Sequence, residues 1–278
     1  MSDRLKVLPQ YLMPKQVMTR LAGRYASKPL GGVTTATIKR FVARYRVNMA
    51  EAAEPDITAY KTFNDFFTRA LKPGVRPLAD APLVCPVDGA ISQVGRVQGD
   101  QVYQAKGQTF TTRALVGGDA ALAAQFQDGL FANLYLSPKD YHRIHMPANG
   151  RLLRMIHVPG ALFSVNPTTA RGVPGLFARN ERVVCVFDDP QIGQWVLVLV
   201  GATIVGSMAT VWHGQIRRDG PVREWRYDDQ NIQLSQGDEM GRFLLGSTVV
   251  MLFPKSDLQF NDSWQPGGAI RMGELMAR

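Results

Sequence analysis

The sequence predicts an α+β fold, with helices at the N-terminal edge of a body that is mostly β. The first 45 residues place apolar side chains at helical spacing, whereas from residue 84 short runs containing Val, Ile and Thr are broken by Gly, Pro and Asp. The apolar content of 45% is ordinary for a globular chain and is enough for a sizeable core. The length of 278 residues allows one large domain with a small appendage. We expect residues 1–60 to be helical and residues 61–278 to form the β-rich domain.

The N-terminal part predicts two amphipathic helices. In each helix, apolar residues share one face, and the basic residues lie mostly off that face. The two faces consist of Val17, Met18, Leu21 and Tyr25 in the first helix and of Ile38, Phe41, Val42 and Tyr45 in the second. Such a face either packs on the body of the protein or lies in a membrane interface.

The distribution of charge favours the membrane for these helices. Residues 1–50 contain ten Lys and Arg and a single acid, so that this segment carries the whole net charge of +9, and the remaining residues are neutral overall. A basic amphipathic segment is attracted to an anionic leaflet, whereas a neutral body argues against nucleic-acid binding. The segment lacks an apolar run of about 7–15 residues before a small-residue cleavage site, so we expect no secretory signal peptide.

Turn signals divide the body into short elements. A third helix is predicted to begin at Thr62, which forms a capping-box pattern with Asp65, and to end at residues 72–74. Residues 84–117 are predicted to form strands and turns, and residues 119–129 a short helix. Further strands are predicted at residues 131–136, 151–158, 182–188, 195–200, 203–212 and 247–253.

Two longer segments need separate interpretation. Residues 195–212 contain no charged side chain and barely reach the length of a membrane span. However, this segment is rich in Val, Thr and Gly, which are poor helix formers, and Gly201 divides it, so we predict two buried strands. Residues 159–175 are rich in Gly and Pro and are predicted to form a long loop, a common place for substrate contacts.

The two cysteines, Cys85 and Cys185, lie far apart and show no metal-ligand spacing. A disulfide framework is therefore not expected, and a reducing compartment fits the composition best. Together with the basic helices, this predicts a peripheral protein at the cytoplasmic face of the cell membrane.

Few residues are candidates for chemistry, and each has a structural alternative. His142 and His145 lie three residues apart and are a surface pair, part of a capped turn, metal ligands or a general acid and base. A metal would need further ligands, which no HExxH pattern or nearby cysteine supplies. Asp88, within Pro-Val-Asp-Gly, is typical of a residue that caps its own turn. Gly246 and Ser247 alone are typical of a turn before a strand.

Taken together and in order, three segments resemble the phosphatidylserine decarboxylase family, and most of all its bacterial membrane-associated branch. They are Pro-Val-Asp-Gly at 86–89, Tyr-His-Arg-Ile-His-Met-Pro at 141–147 and Leu-Gly-Ser-Thr at 245–248. Phe-Asn-Asp-Phe-Phe-Thr-Arg at 63–69 and Leu-Lys-Pro-Gly at 71–74 resemble the same family, and the resemblance runs from about residue 60 to residue 255. Residues 237–241 also resemble biotinyl- and lipoyl-carrier barrels, so the resemblance implies a barrel-like core.

The resemblance implies a self-processing enzyme of phospholipid biosynthesis that converts phosphatidylserine to phosphatidylethanolamine and CO2. It implies cleavage between Gly246 and Ser247 into a chain of residues 1–246 and a chain of residues 247–278, which stay together. Ser247 would become a covalent pyruvoyl cofactor, whose ketone forms a Schiff base with the serine amine of the lipid, without a metal or pyridoxal phosphate.

The resemblance also assigns roles to the candidate residues. Ser247 would attack the carbonyl of Gly246 after His145, oriented by Asp88, removes the proton of its hydroxyl. Gly246 has no Cβ and therefore permits the close approach. His142 would donate a proton to the carbanion that remains when CO2 leaves, because imidazole titrates near neutral pH.

The expected partners are an anionic phospholipid membrane and phosphatidylserine, but not nucleic acid, and a homodimer is left open. Lys139 or Arg143 is a candidate to contact the lipid phosphate. The candidates to contact the acyl chains are Leu162, Phe163 and Val165.

Two other functions remain as alternatives. The first is a pyruvoyl-dependent decarboxylase of a soluble amino acid, against which the basic amphipathic helices argue. The second is a non-enzymatic carrier-like barrel module. A carrier of this type needs a modifiable lysine in a Met-Lys-Met or Asp-Lys-Ala tripeptide, and neither tripeptide occurs in the sequence.

Overall fold

The computed structural model describes residues 3–105, 107–203, 207–216, 220–244 and 248–278. The helices are α1 (Asp3–Leu12), α2 (Lys15–Ala26), α3 (Gly32–Tyr45), α4 (Phe63–Phe67), α5 (Thr112–Leu115), α6 (Ala120–Ala124), α7 (Pro167–Gly172) and α8 (Leu176–Arg179), with a 3-10 turn at Met49–Glu51. The strands are β1 (Leu83–Val84), β2 (Gly89–Arg96), β3 (Gln101–Ala105), β4 (Gln108–Thr111), β5 (Leu130–Tyr135), β6 (Arg143–His145), β7 (Gly150–Val158), β8 (Arg182–Asp189), β9 (Gly193–Val200), β10 (Met208–Thr210), β11 (Gly214–Gln215), β12 (Arg223–Arg226), β13 (Gln233–Leu234), β14 (Glu239–Phe243), β15 (Thr248–Phe253), β16 (Ala269–Ile270) and β17 (Leu275–Ala277). Helices lead the chain and strands dominate the rest, which confirms the α+β class.

The strands form antiparallel sheets. In the described part of the chain, the largest sheet has nine strands in the order β12-β7-β8-β9-β15-β5-β2-β16, with β13 also paired with β7. A four-stranded sheet has the order β11-β10-β14-β6, and the pairs β1-β17 and β3-β4 form two small sheets. Within the described ranges no closed barrel is found. The expected barrel-like core is not confirmed. Strand β14 pairs with β10 and β6 in a separate sheet, and the large sheet ends at β12 and β16.

Both faces of the large sheet are covered, which explains the continuous apolar runs of its central strands. In β9, Trp195, Leu197 and Leu199 belong to one core cluster and the residues between them to the other. The six residues of β15 are all buried and alternate in the same way. Because alternate side chains of a strand point to opposite faces, a strand covered on both faces is apolar throughout.

Two strands, β9 and β10, accordingly lie within the segment 195–212. The prediction for residues 195–200 is confirmed by β9, whereas the predicted strand 203–212 is reduced to β10, with residues 204–206 outside the described ranges. None of the helices in the described ranges has both the length and the apolar character needed to span a bilayer.

The N-terminal region contains three helices where the sequence predicted two. The apolar face of α3 packs on the body: Ile38 is fully buried, and Phe41 makes edge contacts with Phe63 and Phe66 of α4. The apolar face of α2 remains in solvent, with Val17 54% and Leu21 60% exposed. Packing on the body is therefore found for α3, whereas the apolar face of α2 does not pack on the body.

Helix α4 is capped as predicted but is shorter than predicted. The Thr62 hydroxyl accepts from Asp65 N, and the Asp65 carboxylate accepts from Thr62 N, which confirms the capping box. The helix ends at Phe67 instead of near residue 72. The chain after it pairs with residues 51–53, since Ala53 N donates to Ala70 O and Lys72 N donates to Glu51 O.

The segment 159–175 is not an open loop. It contains α7, and α1 packs against it: Gln10 Nε2 donates to Thr169 Oγ1 at 3.0 Å, and Ser164 N donates to Gln10 Oε1 at 2.9 Å. The ring of Tyr11 contacts the ring of Phe163 edge-on at 4.9 Å. Helix α1, which the sequence analysis missed, therefore covers this segment.

Candidate active site

The ends of four adjacent strands lie side by side and form one margin of the large sheet, here called the sheet edge. In register, Ala90 of β2 lies opposite Tyr135 of β5, which lies opposite Thr248 of β15, which lies opposite Val200 of β9. A Cβ on Gly89 would lie 2.2 Å from the Tyr135 carbonyl oxygen, so only glycine allows β2 to approach β5 this closely.

The predicted cleavage bond lies outside the described residues. Gly246 and Ser247 fall in the range 245–247, which the structure does not describe. The flanking residues are described: Leu244 N donates to Ser207 O at 3.1 Å, and Thr248 begins β15.

Asp88 directly precedes β2 and is held by an arginine. Arg76 Nη2 donates to its carboxylate at 2.6 Å and Arg76 Nε at 2.9 Å, while Met272 N donates at 2.9 Å. Arg76 also donates to Glu51 at 2.7 Å. These bonds, first of all those to Asp88, raise the pKa of Arg76. The Asp88 carboxylate is thus fixed by a buried ion pair.

His145 of β6 has two partners, neither of which is Asp88. Nδ1 lies 2.8 Å from Gly237 O, a carbonyl that can only accept, so the ring proton is on Nδ1. Nε2 then carries the lone pair and accepts from the Tyr141 hydroxyl at 3.0 Å. Burial, which is the largest cause, lowers the pKa of His145, and Gly237 O and nearby charges, including Asp88, act on it as well.

The predicted direct orientation of His145 by Asp88 is therefore not found among the hydrogen bonds of the described residues. Gly237 O orients the imidazole, and Arg76 occupies the carboxylate. Asp88 acts on His145 only through its charge and through the backbone, since His145 N donates to Pro86 O at 2.9 Å. The sequence could not reveal this, because Gly237 is 92 residues away from His145 in the chain.

His142 is fully buried at the same edge. Its Nδ1 donates to Asp140 O at 2.8 Å, its Nε2 has no partner among the described residues, and the Phe67 ring lies 4.0 Å from the imidazole centroid. Phe243 N donates to its carbonyl oxygen, which ties it to the end of β14. Burial lowers the pKa of His142 to about 3, with a further contribution from the charge of Arg69. The ring is neutral at pH 7 and presents a bare Nε2.

The residues predicted to contact lipid differ in availability. Arg143 is engaged, since Nε donates to Thr68 O and Nη1 to Glu239, each at 2.8 Å. Lys139 is exposed, and no ion pair within the described ranges includes it. The three predicted acyl contacts are buried, and α1 covers Phe163 through Tyr11, so none of them is open to lipid in this structure. They are Leu162, Phe163 and Val165, with exposures of 1%, 3% and 5%.

Sequence reasoning missed several residues that build this site. Phe67 and Tyr141 lie within the segments that carried the family resemblance, so their position was the available signal. Gly237 lies within residues 237–241, whose resemblance pointed to a barrel and not to His145. Arg76 and Met272 gave no signal, since each acts through a contact with Asp88 that no local pattern shows.

Comparison with known proteins gives consistent matches over nearly the whole chain. The family model described as phosphatidylserine decarboxylase matches residues 63–278, and a second model, described as PSD, matches residues 5–46. A phosphatidylserine decarboxylase proenzyme of Methylibium petroleiphilum is 70% identical over 279 residues, covering 100% of this chain and 98% of that protein. Proenzymes of the same name from Dechloromonas aromatica and Acidovorax ebreus are 69% and 68% identical, covering 99% and 100% of this chain and 98% of each protein.

Proposed function

This chain belongs to the phosphatidylserine decarboxylase family and converts phosphatidylserine to phosphatidylethanolamine and CO2, and we propose that it does so through a pyruvoyl group made from Ser247. The observation that carries the proposal is that Asp88, His142 and His145 are all tied to the strand ends near the residues that flank the Gly246–Ser247 bond: Asp88 directly precedes β2, His145 N donates to Pro86 O, and Phe243 N donates to His142 O. Each of these residues alone has a structural explanation, but their grouping in one part of the fold has a chemical one.

The described residues around this bond fit a pyruvoyl group. Its ketone would bind the serine amine of the lipid and withdraw the electron pair that remains on Cα when CO2 leaves. Two buried polar atoms of the candidate site, Thr248 Oγ1 and His142 Nε2, have no partner in the described part of the chain. Buried polar atoms without partners are rare and costly, so both are available to a new group at position 247.

The first role of the site is to cleave the chain. His145 Nε2 carries a lone pair and takes the hydroxyl proton of Ser247, and Tyr141 must release this nitrogen when it does so. The Ser247 oxygen then bonds to the Gly246 carbonyl carbon while the peptide C–N bond breaks, and protonated His145 gives the proton to the freed nitrogen. Loss of the Ser247 Cα proton expels the Gly246 carboxylate and leaves an enamine, which tautomerises to an imine. Water then replaces the imine nitrogen, which leaves as ammonia.

The second role of the site is to manage a proton during turnover. Because His142 is neutral with a bare Nε2, it accepts a proton before it can donate one to the substrate Cα. Phe67 covers the ring and excludes water from it. The Asp140 carbonyl holds the ring orientation through Nδ1.

Strand pairing supports the proposal that the two chains stay together after cleavage. In the segment after residue 247, β15 lies between β5 and β9, β16 pairs with β2, and β17 pairs with β1. All six side chains of β15 are buried. Separation of the short chain would expose both cores, so we expect it to copurify with the long chain.

Intact mass spectrometry tests this function. The wild type should give two fragments, the shorter one lighter by one ammonia than a fragment that begins with serine. The Ser247→Ala chain should remain at 30.7 kDa. Asp88→Asn and His145→Ala should also remain uncut, whereas His142→Ala should be cut but should not turn over phosphatidylserine. A wild-type chain that stays whole while active would refute the pyruvoyl mechanism, and an uncut His142→Ala beside a cut His145→Ala would reverse the two roles.

We further propose that α1 and α2 bind the protein peripherally to the cytoplasmic face of the membrane. Most of the exposed large apolar side chains in the described ranges lie within residues 5–45, with Leu12 90% and Leu21 60% exposed. Such a surface beside basic residues is suited to an anionic leaflet, and the two cysteines are free and buried, as suits a reducing compartment.

Vesicle cosedimentation tests the membrane proposal. Leu21→Ser should weaken binding to vesicles that contain anionic lipid, and added salt should weaken binding of the wild type. Leu78, which is 47% exposed outside the N-terminal helices, provides the matched control. Equal binding of the Leu21→Ser and Leu78→Ser variants would contradict the assignment of this surface.

A further inference from the structure

Arg69 is a buried guanidinium with unused hydrogen-bond donors. It is 4% exposed, and its Nη2 donates to Lys139 O at 3.2 Å. Its Nε and Nη1 are buried and have no partner among the described residues. Burial lowers the pKa of Arg69, but a guanidinium stays charged in proteins. A buried charge with unpaired donors is costly unless another group completes its surroundings.

Arg182, the other arginine that is buried in the described ranges, does not share this property. Arg182 is 3% exposed, and its Nε donates to Leu115 O at 2.6 Å, its Nη1 to Asn180 O at 2.9 Å and its Nη2 to Ala114 O. The surroundings of Arg182 are therefore complete in the folded chain, whereas those of Arg69 are not.

Arg69 lies beside the proposed catalytic residues. The end of α4 runs along the segment that carries His142: the Phe67 ring contacts the His142 ring, Arg143 Nε donates to Thr68 O, and Arg69 donates to Lys139 O. Arg69 also acts electrostatically on His142. Its unused donors and the bare His142 Nε2 thus belong to the same corner of the site.

The nearby carboxylates are already engaged. Asp140 accepts from Ser137 N and Ser137 Oγ, both at 2.7 Å, and Asp88 is paired with Arg76. No ion pair within the described ranges includes Arg69. Apart from the Phe66 ring, which lies 5.4 Å from the guanidinium, the free donors of Arg69 therefore remain available to an anion from outside these residues.

We propose that Arg69 binds the phosphodiester of phosphatidylserine and so positions the headgroup at Ser247 and His142. This inference rests on the proposed function and deepens it. Arginine suits phosphate oxygens, which accept several hydrogen bonds. The lipid carboxylate is the poorer choice, because its charge disappears when it leaves as CO2. An ion pair to it would stabilise the ground state more than the transition state, whereas the phosphate keeps its charge throughout.

Cleavage changes the chain next to this corner of the site. The end of β14 is tied to this corner, since Phe243 N donates to His142 O at 3.0 Å. Cleavage after residue 246 turns the segment that follows β14 into a free chain end. The processed enzyme, and not the uncut chain, is therefore the form in which phosphate binding should be measured.

Steady-state kinetics on the processed enzyme tests the proposal with water-soluble, short-chain phosphatidylserine. Short-chain phosphatidylethanolamine, which has the phosphate but no carboxylate, serves as a competitive inhibitor. In Arg69→Met, KM for the substrate and Ki for the inhibitor should rise by the same factor, about tenfold or more, with a smaller change in kcat. Arg69→Lys should lie between Arg69→Met and the wild type.

Arg182→Met is the matched control. It removes an equally buried arginine and should lower thermal stability, but the folded, processed fraction should keep the wild-type KM and Ki.

Several outcomes would overturn the inference. A raised KM with an unchanged Ki would assign Arg69 to the carboxylate, and no change in either constant would leave it a structural role only. Loss of cleavage in both Arg69→Met and Arg69→Lys would also overturn it, because a residue that only binds substrate is not needed for self-cleavage. A wild type without a pyruvoyl group would refute the proposed function instead, whatever the Arg69 variants do.

Discussion

The buried neutral state of His142 predicts an acid-sensitive fold. Its side chain is fully buried, and burial lowers the pKa from 6.5 to about 3. Between these values the unfolded chain binds a proton at this residue and the folded chain does not. The free energy of unfolding that depends on His142 is therefore fully present above pH 6.5 and decreases as the pH falls toward 3.

The magnitude follows from the same two values. At pH 4.5, two units below the ordinary pKa, the loss is about 2.7 kcal/mol, since each unit corresponds to about 1.4 kcal/mol. His142→Gln removes the titration and keeps an amide N–H that can donate to Asp140 O. When the pH is lowered from 7.5 to 4.5, His142→Gln should therefore lose about 2–3 kcal/mol less stability than the chain that retains His142.

Urea unfolding measures this difference, and Ser247→Ala should be the common background so that every chain is uncut. His213, which is only partly buried and whose pKa burial also lowers, is the matched control: His213→Gln should show a clearly smaller difference. With four histidines in the chain, single variants also assign each imidazole in an NMR titration. Equal acid sensitivity with and without His142, or a His142 ring that titrates near 6.5, would refute this reasoning.

Three further predictions concern the residues that hold the site. Thr62→Ala removes the capping hydroxyl and should lower the free energy of unfolding by about 1 kcal/mol in urea, whereas an unchanged midpoint would mean that the cap contributes nothing. Gly89→Ala places a Cβ against Tyr135 O and should lower stability by about 1–3 kcal/mol and slow cleavage on a gel, and normal cleavage would contradict the need for close strand contact. Arg76→Met leaves the Asp88 carboxylate without its ion pair and should cost about 3–5 kcal/mol in urea unfolding, so a loss below about 1 kcal/mol would show that water replaces the guanidinium.

Much of the local structure was predictable because it depends on neighbours in the chain. The capping box at Thr62 joins residues three apart. Strands β9 and β15 are continuous apolar runs in the sequence, which is the local pattern that burial on both faces produces. The prediction failed where a distant segment competes: α4 stops at Phe67 because residues 70–72 pair with residues 51–53.

The candidate site shows the same division. The order of three short motifs along the sequence by itself determined the family, and with it the reaction and the residues to inspect. Only the tertiary structure decided the partners of those residues: Arg76 for Asp88, Gly237 and Tyr141 for His145, and Phe67 for His142. It also decided that α3 packs on the body while α2 keeps its apolar face in solvent. The physical reason is that a hydrogen bond or an apolar contact between distant segments depends on where the fold brings them, which no local pattern records.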